Sequence, residues 1–433
     1  MSKKPKLSFW QIWNLSFGFL GVQIGYSLQN SNTSTIFESL GADVSHLSYF
    51  WLAAPLAGMV IQPIVGMFSD GTWTRFGRRI PYILGGALIS TIALMLMPNC
   101  PTLLALAPLA MGAFILLFMD LSFNVTMQPF RALVADMLDD SQKTEGYVVQ
   151  TFLINIGAVV GAVLPLVMTW FGVSDEAVPG QVSSHIAWSY YIGGAILLAT
   201  VLVTAFKTKE YPPKEFAEYN GLAEVEGPAE KTGFMTLLRN TPSAMIRLGI
   251  TQFFSWAALF IMWTYLKPAI TGSVTDGGVL LSEGATQTWV GVLNGVYPIP
   301  ACIAALFMTK LASRFGNKTV YASCLLFGAV GFAGLVLLKD KYELMLPMLC
   351  IGIAWAGILA MPYAILSRAV DPKRMGVYMG IFNFTITIPQ IVIGLTGGVI
   401  VKYCFGSNAV MMLALACVFM LLAAVSVSFV KED

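Results

Sequence analysis

The sequence predicts an all-α membrane protein with twelve transmembrane helices in two six-helix halves. Three observations lead to this fold class. The 433 residues are 57% hydrophobic and only 11% charged, whereas a soluble domain usually carries about 25% charged residues. The apolar residues come in blocks of about 20, long enough to cross roughly 30 Å of hydrocarbon. The longest polar connection falls near the middle of the chain.

Hydropathy defines the twelve spans in order. The first is too long for the core of a signal peptide and lacks a small-residue cleavage site, so we expect it to be retained. The predicted limits are 9–30, 46–69, 80–98, 103–135, 146–171, 186–206, 243–270, 286–310, 319–338, 343–367, 375–401 and 404–430.

Lysine and arginine are distributed unevenly among the loops. With both termini in the cytoplasm, only four of the 25 Lys and Arg residues fall outside, and these are Lys267, Lys339, Lys341 and Lys402. Cytoplasmic loops of membrane proteins are enriched in these residues. We therefore predict cytoplasmic termini, in a bacterial inner membrane or a plasma membrane, and expect a monomer in the lipid bilayer. The net charge of +2 carries no information about a nucleic-acid partner, and we expect none.

The two halves of the chain resemble each other. Pro129-Phe-Arg-Ala-Leu in the first half compares with Pro362-Tyr-Ala-Ile-Leu in the second, and Arg75-Phe-Gly77-Arg-Arg79 with Arg314-Phe-Gly316-Asn-Lys318. The polar Lys/Glu/Pro-rich segment lies between them. We predict an N-terminal half at 1–206, a cytoplasmic linker at 207–242 and a C-terminal half at 243–433. Two such repeats are typical of transporters that bind substrate near mid-membrane.

Asp120 is a carboxylate inside the apolar fourth span, where an ionised Asp costs roughly 2.5–3.5 kcal/mol. Asn124, Gln128 and Arg131 follow at offsets that return to the same helix face. We expect Asp120 to face a cavity. Arg131 lies about 16 Å further along the helix at about 1.5 Å per residue, so a direct ion pair between the two is not expected.

The loop between the second and third spans carries Gly66-Met-Phe-Ser-Asp70 and then Arg75-Phe-Gly77-Arg78-Arg79. It resembles the G-x-x-x-D-(R/K)-x-G-R-R signature of major facilitator transporters, with a few residues inserted after the Asp. An Asp at a helix end, a Gly that permits a tight turn and clustered cations can form a charge latch that holds one of two states. We predict such a gate from Asp70, Arg75, Gly77, Arg78, Arg79, Arg131 and Asp136.

Longer segments resemble the plant sucrose–proton symporters and their bacterial and animal relatives, a branch of the glycoside–cation symporters. They are Gly21-Val-Gln23-Ile-Gly25-Tyr-Ser-Leu-Gln29, the second-span run from Trp51 to Gly66, Phe76-Gly77-Arg78-Arg79-Ile80-Pro81, the run Asp120 to Asp136 with its Asn124, Gln128-Pro129 and Arg131, and Asn383 to Pro389-Gln390. The likeness is dense over residues 18–165. It differs where plant members have paired Asn after the Asp, because this chain has Phe123-Asn124 there.

The resemblance implies a major facilitator fold and proton-coupled uptake of a disaccharide or other glucoside such as sucrose or maltose. It also implies that Asp120 binds the proton and the sugar, and that Arg131 is required for transport. Sugar sites need amides and carboxylates for hydroxyls and aromatic faces for the C–H surface of the ring. The candidate substrate-binding residues are Asp120, Asn124, Gln23, Gln29, Tyr26, Asn155, Trp256 and Asn383.

Alternative functions remain at this stage. A sodium-coupled glycoside symporter could use the same carboxylate, and a drug or metabolite antiporter could share the fold. A non-transporting sugar sensor would be expected to carry a long signalling extension. No nucleophile–base pair or metal-ligand spacing is present, so we predict no enzyme activity, no metal and no cofactor, with a sugar and a proton as the small partners.

Overall fold

A computed structural model describes residues 4–40, 47–104, 107–176, 180–222 and 234–430. Side chains are not described at 38, 47–57, 234, 283–284 and 287–288, which leaves the predicted second-span residue Trp51 outside the described set. The fold is the all-α architecture that the sequence predicts, apart from one short hairpin.

Seventeen α-helices and two short strands follow one another along the described residues. They are α1 Phe9–Ser39, α2 Leu47–Gly71, α3 Ile80–Leu96, α4 Cys100–Leu103, α5 Pro108–Met137, α6 Lys143–Trp170, α7 Ser184–Lys207, α8 Pro213–Tyr219, α9 Phe234–Arg239, α10 Ser243–Ile270, β1 Thr275–Asp276, β2 Val279–Leu280, α11 Glu283–Val296, α12 Pro298–Phe315, α13 Asn317–Leu337, α14 Met345–Ala369, α15 Met375–Phe382, α16 Phe384–Val399 and α17 Val410–Ser426.

Ten stretches of the described helices are long and apolar enough to cross a membrane. Helices α1 and α2, with 31 and 25 residues, are also long enough to span, which accounts for the twelve predicted spans. Large apolar side chains remain exposed on the outer helix faces, among them Phe206 at 80% and Leu395 at 70%. Such extensive apolar exposure is typical of a surface that meets lipid or a partner.

Prolines mark the starts of two helices, α5 and α12, within the predicted fourth and eighth spans. The fourth span was predicted to begin at 103, but α5 begins at Pro108, which occupies the first turn of that helix. The eighth span was predicted at 286–310, and the stretch Trp289–Phe315 is long and apolar enough to cross a membrane. Within this stretch α12 begins at Pro298. Proline has no N–H to donate, and the amides in the first turn of a helix have no partner within the helix. Proline is therefore favoured at helix starts.

Close contacts group the chain into two compact units. The first comprises Met1–Phe234 and Asp371–Asn383, and the second Met235–Val370 and Phe384–Asp433. Helix α15 therefore packs with the first unit, although it lies late in the sequence. The predicted division into halves at residues 206 and 242 stays a prediction.

Glycines bring the helices of the first unit close together. A Cβ at Gly157 would lie 2.5 Å from the Leu20 carbonyl oxygen, and one at Gly161 would lie 2.6 Å from the Ile24 carbonyl oxygen. A Cβ at Gly21 would collide with the Thr200 hydroxyl. Small residues let helix backbones approach one another in membranes. Helix α1 is thereby held against α6 and α7.

Residues 4–8 lie across the connection between α5 and α6. The Leu7 amide donates to Gln142 Oε1 at 2.9 Å, and Gln142 Nε2 donates back to the Leu7 carbonyl at 2.7 Å. Lys4 Nζ donates to the Ala135 carbonyl at 3.4 Å. Burial, and to a lesser extent the charge of Lys143, lower the pKa of Lys4 to about 8, against the opposing effect of the nearby carboxylates.

The second unit includes the hairpin of β1 and β2. Thr275 pairs with Leu280 in this antiparallel ribbon. The Thr275 amide also donates to the Lys339 carbonyl at 2.7 Å, and the Lys341 amide donates to the Thr275 carbonyl at 2.9 Å. These bonds join the connection after α10 to the connection after α13.

Candidate functional site

Asp120 is buried in the first unit, at 1% exposure, and Gln29 is its partner. Gln29 Nε2 on α1 donates to Asp120 Oδ1 at 2.5 Å. The described residues place this amide, and no cation, against the carboxylate. Gln29 Oε1 is buried and has no hydrogen-bond partner within the described chain. The structure thus joins two of the predicted substrate-binding residues across two helices.

Asn124 lies one turn beyond Asp120 on α5. Its Nδ2 donates to the Asp120 backbone carbonyl at 2.8 Å, and its Oδ1 accepts from Gln62 Nε2 on α2 at 2.7 Å. Gln62 Oε1 is a second buried acceptor for which the described part of the chain supplies no donor. Because both Gln29 and Gln62 present an unpaired oxygen, this region suits a ligand that donates hydrogen bonds.

A glycine on α2 makes room where two of the predicted amides meet. A Cβ at Gly58 would lie 2.9 Å from Asn124 Oδ1 and 3.2 Å from Asn383 Nδ2. Asn383 ends α15 and is 4% exposed. It therefore lies beside Asn124 in the first unit, although 259 positions separate them in the sequence.

The other predicted residues of the first unit have different surroundings. The ring of Tyr26 packs edge-to-face on Phe123 at 5.9 Å. Gln23 lies on the interface between α1 and α6, where a Cβ added at Gly157 would lie 2.9 Å from the Cβ of Gln23.

Asn155 is fully buried on α6. Its Nδ2 donates to the Thr151 carbonyl at 2.8 Å, and its Oδ1 has no partner among the residues that the structure describes. No hydrogen bond in the described chain joins Gln23 or Asn155 to Asp120.

Trp256 belongs to an aromatic group in the second unit. Its ring lies 5.5 Å from that of Trp355 and 6.3 Å from that of Trp263, and Tyr297 packs on Trp355 at 6.0 Å. Trp256 Nε1 donates to Gln252 Oε1 at 3.1 Å, while Gln252 Nε2 is buried without an acceptor among the described residues. Ring faces beside an amide donor match what the C–H surface and hydroxyls of a sugar need.

Four residues of the predicted gate form what we call the charge cluster: Asp70, Arg78, Arg79 and Asp136. Arg79 Nη2 lies 2.6 Å from Asp70 Oδ1, and its Nε lies 2.8 Å from Asp136 Oδ2. Arg78 lies 3.3 Å from Asp70 and 3.2 Å from Asp136. Burial opposes the charge on Arg79, but Asp136 and Asp70 outweigh it and raise the pKa of Arg79. Burial and the charge of Arg79 lower the pKa of Arg78.

Asp70 also binds the start of α15. It accepts hydrogen bonds from the amides of Gly376 and Val377, both at 2.8 Å. The Gly376 carbonyl accepts from Gln128 Nε2. The peptide group before Gly376 is therefore held by α2, and the one after it is held by both α2 and α5.

Glycines allow this contact. A Cβ at Gly66 would collide with the Gly376 carbonyl, and one at Gly380 would lie 2.5 Å from the Gln62 carbonyl oxygen and 2.5 Å from Pro63 Cα. Helices α2 and α15 therefore meet backbone to backbone along the line that runs from the charge cluster towards Asn383.

The remaining predicted gate residues are Arg75, Gly77 and Arg131. Arg75 is exposed, with its guanidinium 4.7 Å from the centre of the Phe76 ring. Gly77 has φ +109°, a conformation that favours glycine. Arg131 is half-buried, and its backbone carbonyl accepts from the Tyr147 hydroxyl at 3.0 Å.

Sequence reasoning missed Glu210, which lies in the predicted linker. Its carboxylate accepts from the amides of Arg78, Arg79 and Ile80. Glu210 is surrounded in the sequence by Lys, Pro and Tyr, so composition indicated an exposed linker. The one available signal was Phe216, an apolar residue shortly after it that is 4% exposed in the structure.

Comparison with known proteins gives a consistent result. The family described as MFS/sugar transport protein matches residues 35–403. The sucrose transport protein SUT5 of Oryza sativa subsp. indica is 25% identical over 431 residues, covering 87% of this chain and 79% of its own. The sucrose transport protein SUC4 of Arabidopsis thaliana is 24% identical over 420 residues, with 87% and 81% covered.

Solved structures share the fold at lower identity. The major facilitator superfamily transporter FucP, in the outward conformation, superposes with a TM-score of 0.71 at 14% identity over 98% of this chain and 99% of its own. The proton:xylose symporter XylE gives 0.72 at 13% identity over 98% and 96%. The fold is therefore that of the major facilitator superfamily, and the relatives are transport proteins, not enzymes. The family match extends over most of the sequence, and the chain belongs to the MFS/sugar transport protein family.

Proposed function

We propose that this chain is a proton-coupled importer of a disaccharide or glucoside that works by alternating access. The observation that carries the proposal is Asp120, a buried carboxylate inside a membrane span whose hydrogen-bond partner is an amide rather than a cation. The relatives named as sucrose transport proteins support the sugar class, and the likeness of fold to a proton:xylose symporter is consistent with the coupling.

Gln29 suits both protonation states of Asp120. Gln29 Nε2 donates to Asp120 Oδ1, an arrangement that suits the ionised carboxylate. A protonated carboxyl group is a donor, and Gln29 Oε1 is a buried acceptor that lacks one among the described residues. A rotation of the amide would then exchange one hydrogen bond for another. Sugar hydroxyls would be bound by the unpaired oxygens of Gln29 and Gln62, and by Asn124 and Asn383.

In the proposed cycle, Asp120 takes a proton from outside, sugar binds, and the binding residues become open to the cytoplasm, where proton and sugar leave. The charge cluster would face the cytoplasm and hold one of the two states. A membrane potential supplies about 2.3 kcal/mol per charge per 100 mV, and a pH gradient about 1.4 kcal/mol per unit. At 100 mV and one pH unit, one proton supports a sugar gradient of several hundredfold.

Uptake into proteoliposomes tests the proposal. Labelled sucrose, maltose, other glucosides and monosaccharides are offered under an imposed proton gradient, and separately under a sodium gradient. We expect accumulation of a disaccharide or glucoside driven by protons. If no sugar accumulates under the proton gradient, the proposal is wrong. Accumulation under sodium alone would support a sodium-coupled symporter. The Asp120 carboxylate and the unpaired oxygen of Gln29 would also suit a cation as ligands.

Asp120→Asn tests the coupling residue. We expect the variant to lose proton-driven accumulation while it keeps exchange of sugar across the membrane, because the amide preserves the shape but does not titrate. Asp175→Asn is the matched control, since Asp175 is exposed in the connection after α6. Full accumulation by Asp120→Asn would remove Asp120 from the coupling role.

A further inference from the structure

The first part of the predicted linker is packed against the first unit. Phe216 and Ala217 on α8 are 4% and 3% exposed. The Tyr211 hydroxyl donates to the Met137 carbonyl at 3.2 Å, and its ring packs on Tyr219 at 5.0 Å. A flexible tether would not bury side chains in this way, so this segment has a defined place beside the charge cluster.

Glu210 binds the start of α3. Its Oε1 accepts from the amides of Arg79 and Ile80, both at 2.9 Å, and its Oε2 accepts from the Arg78 amide at 3.1 Å. The first amides of a helix have no partner within the helix. Arg79 is the N-cap residue of α3, and its side chain makes no hydrogen bond to these amides. Glu210 therefore caps α3 from 130 residues away.

The loop before α3 leaves space for this carboxylate. A Cβ at Gly77 would collide with Glu210, and Gly77 also has φ +109°. The glycine is thus required both by the turn and by the approach of the linker. Because the three amides belong to Arg78, Arg79 and the residue after them, Glu210 fixes the backbone from which both arginine side chains extend.

Phe216 contacts one of these side chains. The guanidinium of Arg78 lies 4.5 Å from the centre of the Phe216 ring and 5.4 Å from that of Trp73, and the two rings are 5.8 Å apart. The same guanidinium lies 3.2 Å from Asp136. Arg78 is held between aromatic faces on one side and carboxylates on the other, a favourable arrangement for a desolvated cation.

We propose that Glu210 and Phe216, here named the linker clasp, position Arg78 and Arg79 for their ion pairs with Asp70 and Asp136. The segment after α7 is then a working part of the charge cluster and not a passive connection. The consequence for transport rests on the proposed function, whereas the positioning itself does not.

Purified protein tests the positioning without any transport. Val377 is 2% exposed and its amide is bound by Asp70, so a cysteine at this position reports opening of the cluster. Reaction of Val377→Cys with a small thiol reagent is followed by mass spectrometry of its peptide. We expect Glu210→Gln to speed labelling about tenfold, the effect of one net hydrogen bond. Phe216→Ala removes the cation–π contact with Arg78 and should speed labelling by at least as much. Glu215→Gln is the matched control, because Glu215 is exposed on the same helix.

Hydrogen exchange provides the second measurement. The amides of residues 78–80 should exchange about tenfold faster in Glu210→Gln and recover in Glu210→Asp, which keeps the charge. If Glu210→Gln does not fold, Phe216→Leu keeps apolar volume, removes the ring, and should still speed labelling at position 377. Labelling and exchange equal to those of Glu215→Gln would overturn the proposal.

Transport then separates positioning from mere stability. We expect the clasp variants to lower the turnover of uptake severalfold with an unchanged KM, because the sugar-binding residues are untouched. A raised KM with unchanged turnover would overturn the proposed role. If the unmodified protein transports no sugar at all, the proposed function fails, and labelling and exchange still decide the clasp.

Discussion

Arg79→Lys should destabilise the first unit although it conserves the charge. Arg79 is fully buried and donates from three nitrogens to three partners: Asp136 at 2.8 Å, Asp70 at 2.6 Å and the Ser69 hydroxyl at 2.5 Å. A lysine presents one compact ammonium and cannot reproduce this planar arrangement. The substitution removes at least one of the hydrogen bonds that these buried carboxylates accept from Arg79.

The magnitude follows from those bonds. Removing one partner of a buried ion pair costs about 3–5 kcal/mol. Arg78 lies 3.3 Å from Asp70 and 3.2 Å from Asp136 and supplies part of the compensation, which favours the lower value. Unfolding entropy of about 2.1 cal/mol/K per residue over the chain converts 3 kcal/mol into a fall in melting temperature of at least about 3 °C.

Thermal unfolding of the purified protein in detergent measures this effect. Cys100 and Cys324 are buried and free, so a thiol-reactive fluorogenic dye reports unfolding as they become exposed. Arg75→Lys is the matched control, because Arg75 is exposed on the same loop and outside the ion pairs. A change within about 0.5 kcal/mol is usual at such a position. The reasoning is refuted if Arg79→Lys melts within 1 °C of the control.

Two further predictions concern packing and pH. Gly380→Ala should lower the free energy of unfolding by about 1–3 kcal/mol, because the new methyl group overpacks against the backbone of α2. At Gly398 nothing lies within 4 Å of the added Cβ, so Gly398→Ala should be neutral or stabilising. Melting temperatures that move in the same direction for both variants would contradict this prediction. Lys4 has a folded pKa of about 8, below its ordinary 10.5, so docking of residues 4–8 should strengthen as pH rises from about 8 to 10.5. Lys4→Met should tighten docking at pH 7 and remove the pH dependence, while Lys6→Met should leave the pH dependence intact. The rate of chymotrypsin cleavage near Leu7, compared at pH 7 and pH 9, measures the docking. Equal cleavage rates for the two variants would contradict the role of Lys4.

Helical periodicity predicted the first side of the candidate site. The offset between Asp120 and Asn124 placed both on one face of a helix, and in the structure the Asn124 side chain bonds the Asp120 carbonyl. The same helix geometry predicted no direct ion pair between Asp120 and Arg131, and in the structure Gln29 donates a hydrogen bond to the Asp120 carboxylate. Such inferences succeed because the rise and turn of a helix are fixed by the backbone.

Contacts to backbone groups were beyond the sequence. Glu210 binds amides, and these carry no residue identity that a pattern could match. Gly58 matters for the space it leaves between Asn124 and Asn383, and that space depends on how three helices pack. Composition placed Glu210 in a polar linker, because composition averages over neighbours and one buried Phe216 does not alter the average.

The two hydrogen bonds from Asp70 to the amides at the start of α15 also determine which genetic experiments can succeed. An ion pair between side chains can be restored by exchanging its two members. Exchanging Asp70 with Arg79 would keep their ion pair, but it would place a cation against the start of α15, which is electropositive whatever its sequence. Suppressors of an Asp70 variant should therefore arise as substitutions that move α15, and not as a charge swap with Arg79.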